Sequence, residues 1–200
     1  MPLGRKAAQT RKTLLEAAGR LFAADGYATT SVGDIAAEAG VSLGTFYQYF
    51  RDRGDIIAAL AGHAALVMLA HADEVWRLEE GRAGVRSALG PYVAMYAATA
   101  PFQAVWEEVT HVEERLATLR KELTGAITAA IEDVIERGVE EGLLRKDLDP
   151  EGAALALGAM VDRTCYLRFV VERPRSRARR VEETTELLTD LWVHATGLED

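Results

Sequence analysis

In the run Leu43-Gly44-Thr45-Phe46-Tyr47-Gln48-Tyr49-Phe50, helical spacing sets Gly44, Thr45, Gln48 and Tyr49 on one edge and the apolar Phe46 and Phe50 on the other. Gly44 and Thr45 are small enough for such a helix to approach base pairs closely. The Gln48 amide can hydrogen-bond an adenine edge, and the Thr45 methyl can pack on a thymine methyl. Tyr47 and Tyr49 carry hydroxyls on rigid stems, and Arg53 adds a guanidinium; all three suit phosphate oxygens. Phosphate contacts would hold the register and the edge residues would read it. Phe46 and Phe50 are core residues. For the two tyrosines the alternative is plain exposed surface, a costly use of two aromatic rings.

Those side chains can act only from a rigid support. Ser42 is placed to cap their helix. Ahead of it, Val41 is a buried wedge, and Gly40 supplies the positive φ that stops a preceding short helix. That helix starts near Val32, because Ser31 and Asp34 are spaced so that each side chain satisfies a free N–H of the other's backbone. Ile35, Ala36 and Ala39 form its apolar face. Two short helices about a glycine turn make a helix-turn-helix. A longer helix, about Thr10 to Asp25, carries the stripe Leu14, Leu15, Ala18, Leu21 and Phe22 and braces the pair from behind. Asp52 caps the following helix, with Asp55 at its third position.

The segment Thr10 to Ile57 resembles the N-terminal domain of TetR-type transcriptional repressors, and VSLGTFYQYFRDRGDI is similar to their recognition helix and the start of their connecting helix. The resemblance implies base-edge or groove contact by Leu43, Gly44, Thr45 and Gln48. It implies phosphate contact at Ser31, Ser42, Tyr47, Tyr49 and Arg53. Tyr49 stands where many relatives have His and Arg53 where most have Lys, so phosphate-capable groups are kept while the operator sequence does not transfer. Gly54, in the first turn of the next helix, is unusual and is expected to loosen that joint.

The net charge of −8 divides unevenly: residues 1–60 hold seven Lys/Arg against six Asp/Glu, and residues 61–200 hold sixteen against twenty-five. The acid therefore lies outside the DNA-binding head. A head this weakly basic should lean on helix N-termini, tyrosine hydroxyls and the doubling of sites in a dimer. Residues 1–9 are expected to form a disordered basic arm. Arg5, Lys6, Arg11 and Lys12 give it and the adjoining turn a positive tip that either follows the DNA backbone or minor groove or is simply solvated. The single cysteine, Cys165, excludes an internal disulfide and a Cys-rich metal site. With no hydrophobic signal segment at the N-terminus, the chain is expected to be cytoplasmic.

The expected organisation is all-α: the arm (1–9), a helix-turn-helix domain (10–53), and a helical ligand-binding and dimerisation domain (54–200). From Ile56 to Ala72 no side chain is formally charged, which is too short for a membrane span and predicts a buried connecting helix, a lever between the domains. Helices follow over about Ala83 to Ala100, kinked at Pro91; a short one from Pro101; and the long amphipathic Glu113 to Glu141. Asp149-Pro150 starts another, uncharged over Ala153 to Val161, where Ala154, Gly158 and Ala159 let a second helix come close. The last, about Val181 to Ala195, has the stripe Val181, Leu188, Leu191, Trp192 and Ala195. By resemblance, the last two helices pair with their copies as a homodimer, and a two-fold dimer would read a partly palindromic operator.

Trp76, Tyr92, Met95, Tyr96, Phe102, Trp106, Met160, Tyr166 and Phe169 either fill a core or line a cavity; the resemblance implies a ligand pocket there. Glu108 and His111 form one E-x-x-H pair, whereas a bundle di-iron site needs two, so no metal or other cofactor is expected. Arg173, Arg175, Arg177, Arg179 and Arg180 read as a solvated connector or a site for an anionic partner. The implied function is a repressor released from its operator by an apolar or amphipathic small molecule. A helix-turn-helix regulator without an inducer is the alternative, ahead of an all-helical enzyme, for which no H-E-x-x-H, G-x-S-x-G or paired E-x-x-H is present.

Overall fold

The computed structural model describes residues 4–69, 76–172 and 176–198, and these contain helices and turns with no strand. In chain order the helices are α1 (Arg5–Asp25), α2 (Val32–Glu38), α3 (Leu43–Tyr49), α4 (Arg53–Leu69), α5 (Arg82–Ala98), α6 (Ala100–Val112), α7 (Glu114–Glu140), α8 (Pro150–Cys165) and α9 (Arg177–Thr196). A 3₁₀ turn, Leu78–Glu80, precedes α5, and a π-helical stretch, Tyr166–Val171, continues α8. None of the described helices is long and apolar enough to cross a membrane.

Two compact units emerge. One comprises residues 4–64 with 101–120, the other the described parts of 65–100 and 121–198. α4 and α7 each run from the first unit into the second. The first unit thus contains a discontinuous piece, α6 and the start of α7, that no local pattern assigns to it. The reason lies in packing: Val105, Val109 and Leu116 are buried in one core with Leu14, Phe22, Ile35, Phe46, Ile56 and Ile57.

α1 begins at Arg5, five positions before the expected Thr10, so Arg5 to Gln9 are helical instead of a disordered arm. Good helix formers occupy that turn, and the hydroxyls of Thr10 and Thr13 fold back onto the carbonyls of Lys6 and Gln9 at 3.0 Å each. Residues 1–3 of the arm lie outside the described residues. α4 is also less enclosed than expected. Ile56, Ile57, Ala61 and Ala65 are buried while His63 is exposed, so burial follows one face; the expected last turn, 70–72, lies outside the described residues.

In the second unit α5 lies along α9. Arg82 bonds Glu186 and Asp190 at 2.6 and 2.7 Å, and Arg86 reaches Glu182 at 2.6 Å as well as Glu186. Below these pairs, Val85, Leu89, Val93, Leu157, Phe169, Leu188 and Trp192 share one core. α5 runs as a single helix through Pro91. α9 turns differently from its expected stripe: Leu188 and Trp192 are buried, but Leu191 and Ala195 are exposed, and the rest of the inward face is Thr184, Thr185, Thr189 and Thr196. Each of these threonines donates its hydroxyl to the carbonyl four residues back, at 2.6 to 3.0 Å, and so presents mainly a methyl to the core. The expected arginine connector is likewise shorter, since Arg177, Arg179 and Arg180 belong to the first turn of α9. Arg179 pairs with Glu183 at 2.8 Å; residues 173–175 lie outside the described residues.

Phe46 is the fully buried anchor of α3. Phe46→Ala should cost about 3–5 kcal/mol in urea unfolding, whereas Leu43→Ala, three residues earlier and about half exposed, should change stability by no more than about 0.5 kcal/mol.

Candidate nucleic-acid interface

α2 is seven residues long and starts in a complete capping box. The Asp34 N–H donates to Ser31 Oγ at 3.1 Å, and the Ser31 N–H and hydroxyl both donate to Asp34 Oδ2, at 2.8 and 2.6 Å. These bonds hold the Asp34 carboxyl below its ordinary range. Gly40, at φ 67°, makes the turn, and Val41 tucks half-buried against the core. Ser42 then caps α3: its Oγ accepts from the Thr45 N–H at 3.1 Å and lies 2.9 Å from Thr45 Oγ1.

The two edges of α3 divide cleanly. Phe46 is fully buried, and its ring packs on Phe50 at 5.8 Å. Leu43, Gly44, Tyr47 and Gln48 are exposed, Tyr47 by 54%, as are the capping residues Ser31 and Ser42. Thr45 is half-buried with its hydroxyl against Ser42. Tyr49 is half-buried, with its ring against the core. Of the expected contact residues, Ser31, Ser42, Leu43, Gly44, Tyr47 and Gln48 are exposed and Thr45 and Tyr49 are half-buried.

Arg53 is the exception. Its Nη1 donates to the carbonyls of Tyr27 and Thr30 at 2.7 Å each and of Ala28 at 3.3 Å, and the guanidinium stands over the Tyr27 ring at 4.6 Å. It is engaged in holding the α1–α2 loop, which carries Ser31. No local signal marks this, because the carbonyls it meets lie more than twenty residues earlier.

A cluster of charged pairs follows α3. The Asp55 N–H donates to Asp52 Oδ1 at 2.7 Å, capping α4. Arg51 donates to Asp55 through Nε and Nη2 at 2.7 and 2.6 Å, and Arg115, at the start of α7, donates to Asp55 and Asp52 at 3.0 Å each. The Arg51 hydrogen bonds hold the Asp55 carboxyl well below the usual carboxylate range. The Tyr27 hydroxyl donates to Glu113; burial and that carboxylate push its pKa far up. Sequence reasoning missed Arg51, Glu113 and Arg115.

Gly54 is where the expectation of a loose joint gives way. A Cβ there would overlap Arg115 Nη2 and stand 3.0 Å from Glu113 Oε2 and 3.1 Å from Asp52 Oδ1. The glycine makes room for a close contact. Beside the Asp52 cap and Asp55, it is the one sign of these contacts legible in the sequence.

The expected pocket residues divide between the units. Tyr96 and Phe169 are buried in the second core, with Trp76, Tyr92, Met160 and Tyr166 packed against it. Trp76 lies against Trp192 with centroids 5.0 Å apart, Tyr92 against Tyr96 at 5.8 Å, and the Tyr92 hydroxyl donates to Asp162 at 3.3 Å. Met95 is half-buried, its carbonyl accepting from Thr99 at 2.9 Å. Phe102 and Trp106 instead stack on each other, 6.4 Å apart and 12° from parallel, against the first unit's core. A cleft of about 490 Å³ between the turn at Leu78 and α7 is lined by Trp76, Arg77, Leu78, Glu79, Val134, Arg137, Gly138 and Glu141, so only Trp76 of the nine reaches it. Among the described residues no cluster of His, Cys, Asp and Glu could hold a metal ion.

Residues 14–60 match the bacterial regulatory proteins of the tetR family, and residues 77–193 match the C-terminal region of BetI-type transcriptional repressors. The transcriptional regulator TtgR of Pseudomonas putida is 30% identical over 170 residues, covering 78% of this chain and 79% of that protein. The regulator AcrR of Shigella flexneri is 34% identical over 79 residues, 40% of this chain and 30% of its own length. Among solved structures, FadR from Bacillus subtilis in complex with stearoyl-CoA superposes with a TM-score of 0.74 at 20% identity, covering 89% of this chain and 97% of that one.

The depressed Asp55 carboxyl has a testable sign. Its stabilisation is present above the unfolded-state value of about 4 and is lost as the pH falls through the folded one. In urea unfolding, wild type should exceed Asp55→Asn by about 1 kcal/mol at pH 7, and the gap should close below about pH 4.

Proposed function

Because the chain belongs to the TetR family of bacterial regulatory proteins, which are transcriptional regulators and not enzymes, we propose that it is a repressor that holds a partly palindromic operator as a homodimer and releases it on binding an apolar or amphipathic small molecule. The observation that carries the DNA half is the exposed edge of α3, with Leu43, Gly44, Tyr47 and Gln48 outward and two capping serines beside it. In this reading Leu43, Gly44, Thr45 and Gln48 meet the groove, and Ser31, Ser42, Tyr47 and Tyr49 meet phosphates. Arg53 acts by holding the loop that carries Ser31.

A homodimer is supported by apolar side chains left outside the second unit. Leu155, Leu167, Val171, Leu187 and Leu191 are all exposed, along α8, its π-helical continuation and α9. Pairing of these elements with a second copy would cover them and set two recognition helices one turn of DNA apart. The effector would enter the second unit among Trp76, Tyr92, Met95, Tyr96, Met160, Tyr166 and Phe169. Aromatic and aliphatic walls favour a lipid-like or aromatic compound, and the fold neighbour that holds stearoyl-CoA supports that class. A regulator without inducer is the second reading, favoured by the close packing of Trp76 on Trp192 and Tyr92 on Tyr96.

The test is binding to a duplex selected by the wild type from a random-sequence pool. Gln48→Ala should relax base preference at one position in each half-site, costing about 1–3 kcal/mol there, while Tyr47→Phe should weaken all sequences alike. Failure to select any duplex sinks the DNA-binding reading. Operator release by an acyl or aromatic compound separates the inducible reading from the second.

A further inference from the structure

Two side chains from the α6–α7 turn grip the base of the helix-turn-helix. Arg115 forks across Asp52 and Asp55 on the first turn of α4, and Glu113 accepts the Tyr27 hydroxyl at the end of α1. Each grip has a backing. Asp55 is also held by Arg51, which follows α3 by one residue beyond Phe50, and Tyr27 lies under Arg53, which gathers the α1–α2 loop carbonyls. The turn is thereby tied to both sides of the proposed DNA surface, the end of α3 and the loop before Ser31. Gly54 sits between the grips with no Cβ, and its absence of a side chain lets the Arg115 guanidinium reach the carboxylates.

Exposed ion pairs add little to fold stability, and Arg115 is nearly half exposed. They are nevertheless large enough to bias two conformations of similar free energy. α4 and α7, the helices joined here, both continue into the second unit. Resting on the DNA-binding reading above, we infer that Arg115, Glu113 and Gly54 form a clamp that positions the recognition helix relative to α7, and that operator affinity is set through it. Gly54 and Arg115 are positioning residues: neither is on the DNA surface.

Gly54→Ala favours the α4 helix and meets only the flexible ends of side chains, overlapping Arg115 and crowding Glu113 and Asp52, so it breaks the clamp without unfolding the unit. Arg115→Ala breaks it from the other side, and Arg115→Lys, able to reach one carboxylate, is intermediate. Without DNA, amide hydrogen exchange over residues 26–31 and 50–57 should rise by about threefold or more in Gly54→Ala and Arg115→Ala while α9 keeps its wild-type rates. On the selected operator each variant should bind about three- to tenfold more weakly, and the double variant no more weakly than the worse single one, because both remove the same contact. Affinity for unrelated DNA should stay within about twofold. Unchanged exchange overturns the clamp. Raised exchange with unchanged operator affinity, or losses that add in the double variant, overturns its part in binding. A wild type that selects no duplex strikes the regulator reading instead, and with it that part, while the exchange result still decides whether the clamp exists.

Discussion

A seven-residue helix does not persist alone in water, since nucleation costs more than so few hydrogen bonds return. Both helices of the helix-turn-helix have that length. They exist because each start is capped by a serine and each inner face is buried, Ile35 from one and Phe46 from the other. The surface that would face DNA is accordingly only as well placed as the core behind it. Phe46 packs on Phe50, Arg11 stands over the Phe50 ring at 5.3 Å, and Phe22 lies against Tyr27 at 5.6 Å. Tyr27 occupies three roles at once: its ring belongs to the core, one face takes the Arg53 guanidinium, and its hydroxyl reaches Glu113. Core, loop and α7 meet in that residue.

The features legible from sequence are those decided within one turn of helix. The caps at Ser31, Ser42 and Asp149 appear as expected because a side-chain oxygen and an N–H three residues on need nothing from the rest of the chain. The division of α3 into a Phe46 edge and a Gln48 edge was legible for the same reason. The illegible features depend on partners far along the chain. Arg53 and Arg115 meet groups more than twenty and at least sixty residues away, and neither spacing leaves a mark. Phe102 and Trp106 looked like pocket wall by residue type, but type does not say which core an aromatic joins. Gly54 was visible as an oddity, and its meaning required the neighbour that fills the space.

The misread face of α9 has a different origin. Counting threonine as polar orients the helix by its large apolar side chains, yet of its three leucines only Leu188 is buried, and Leu187 and Leu191 point outward. A threonine whose hydroxyl bonds its own helix is nearly as apolar as valine toward a neighbour, and the Thr185 methyl stands 3.7 Å from where a Cβ on Gly90 of α5 would lie. With small methyls inside, α5 and α9 approach closely enough for Arg82 and Arg86 to bridge to Glu182, Glu186 and Asp190 along their flank. Leu187 and Leu191 are then displaced to the outside of the same helix. The inward threonines and the outward leucines are one arrangement.

The head's charge follows the same logic of internal use. Arg20 pairs with Glu38, Arg51 with Asp55, Lys12 with Glu16, Arg11 lies over Phe50, and Arg53 is engaged on carbonyls. Most of the cations that could neutralise phosphate are thus part of the fold. Non-specific attraction to DNA, which depends on releasing counterions, must be weak in such a protein. On the proposed DNA-binding reading, specific binding would then come from hydrogen bonds and close fit: the hydroxyls of Tyr47 and Tyr49, the N-terminal amides behind Ser31 and Ser42, and the Gln48 amide. These are short-range and orientation-dependent, unlike the long reach of charge. A small rotation of α3 that a strongly basic reader would tolerate would here remove several contacts together, which is why the position of that helix is the quantity the rest of the first unit holds fixed.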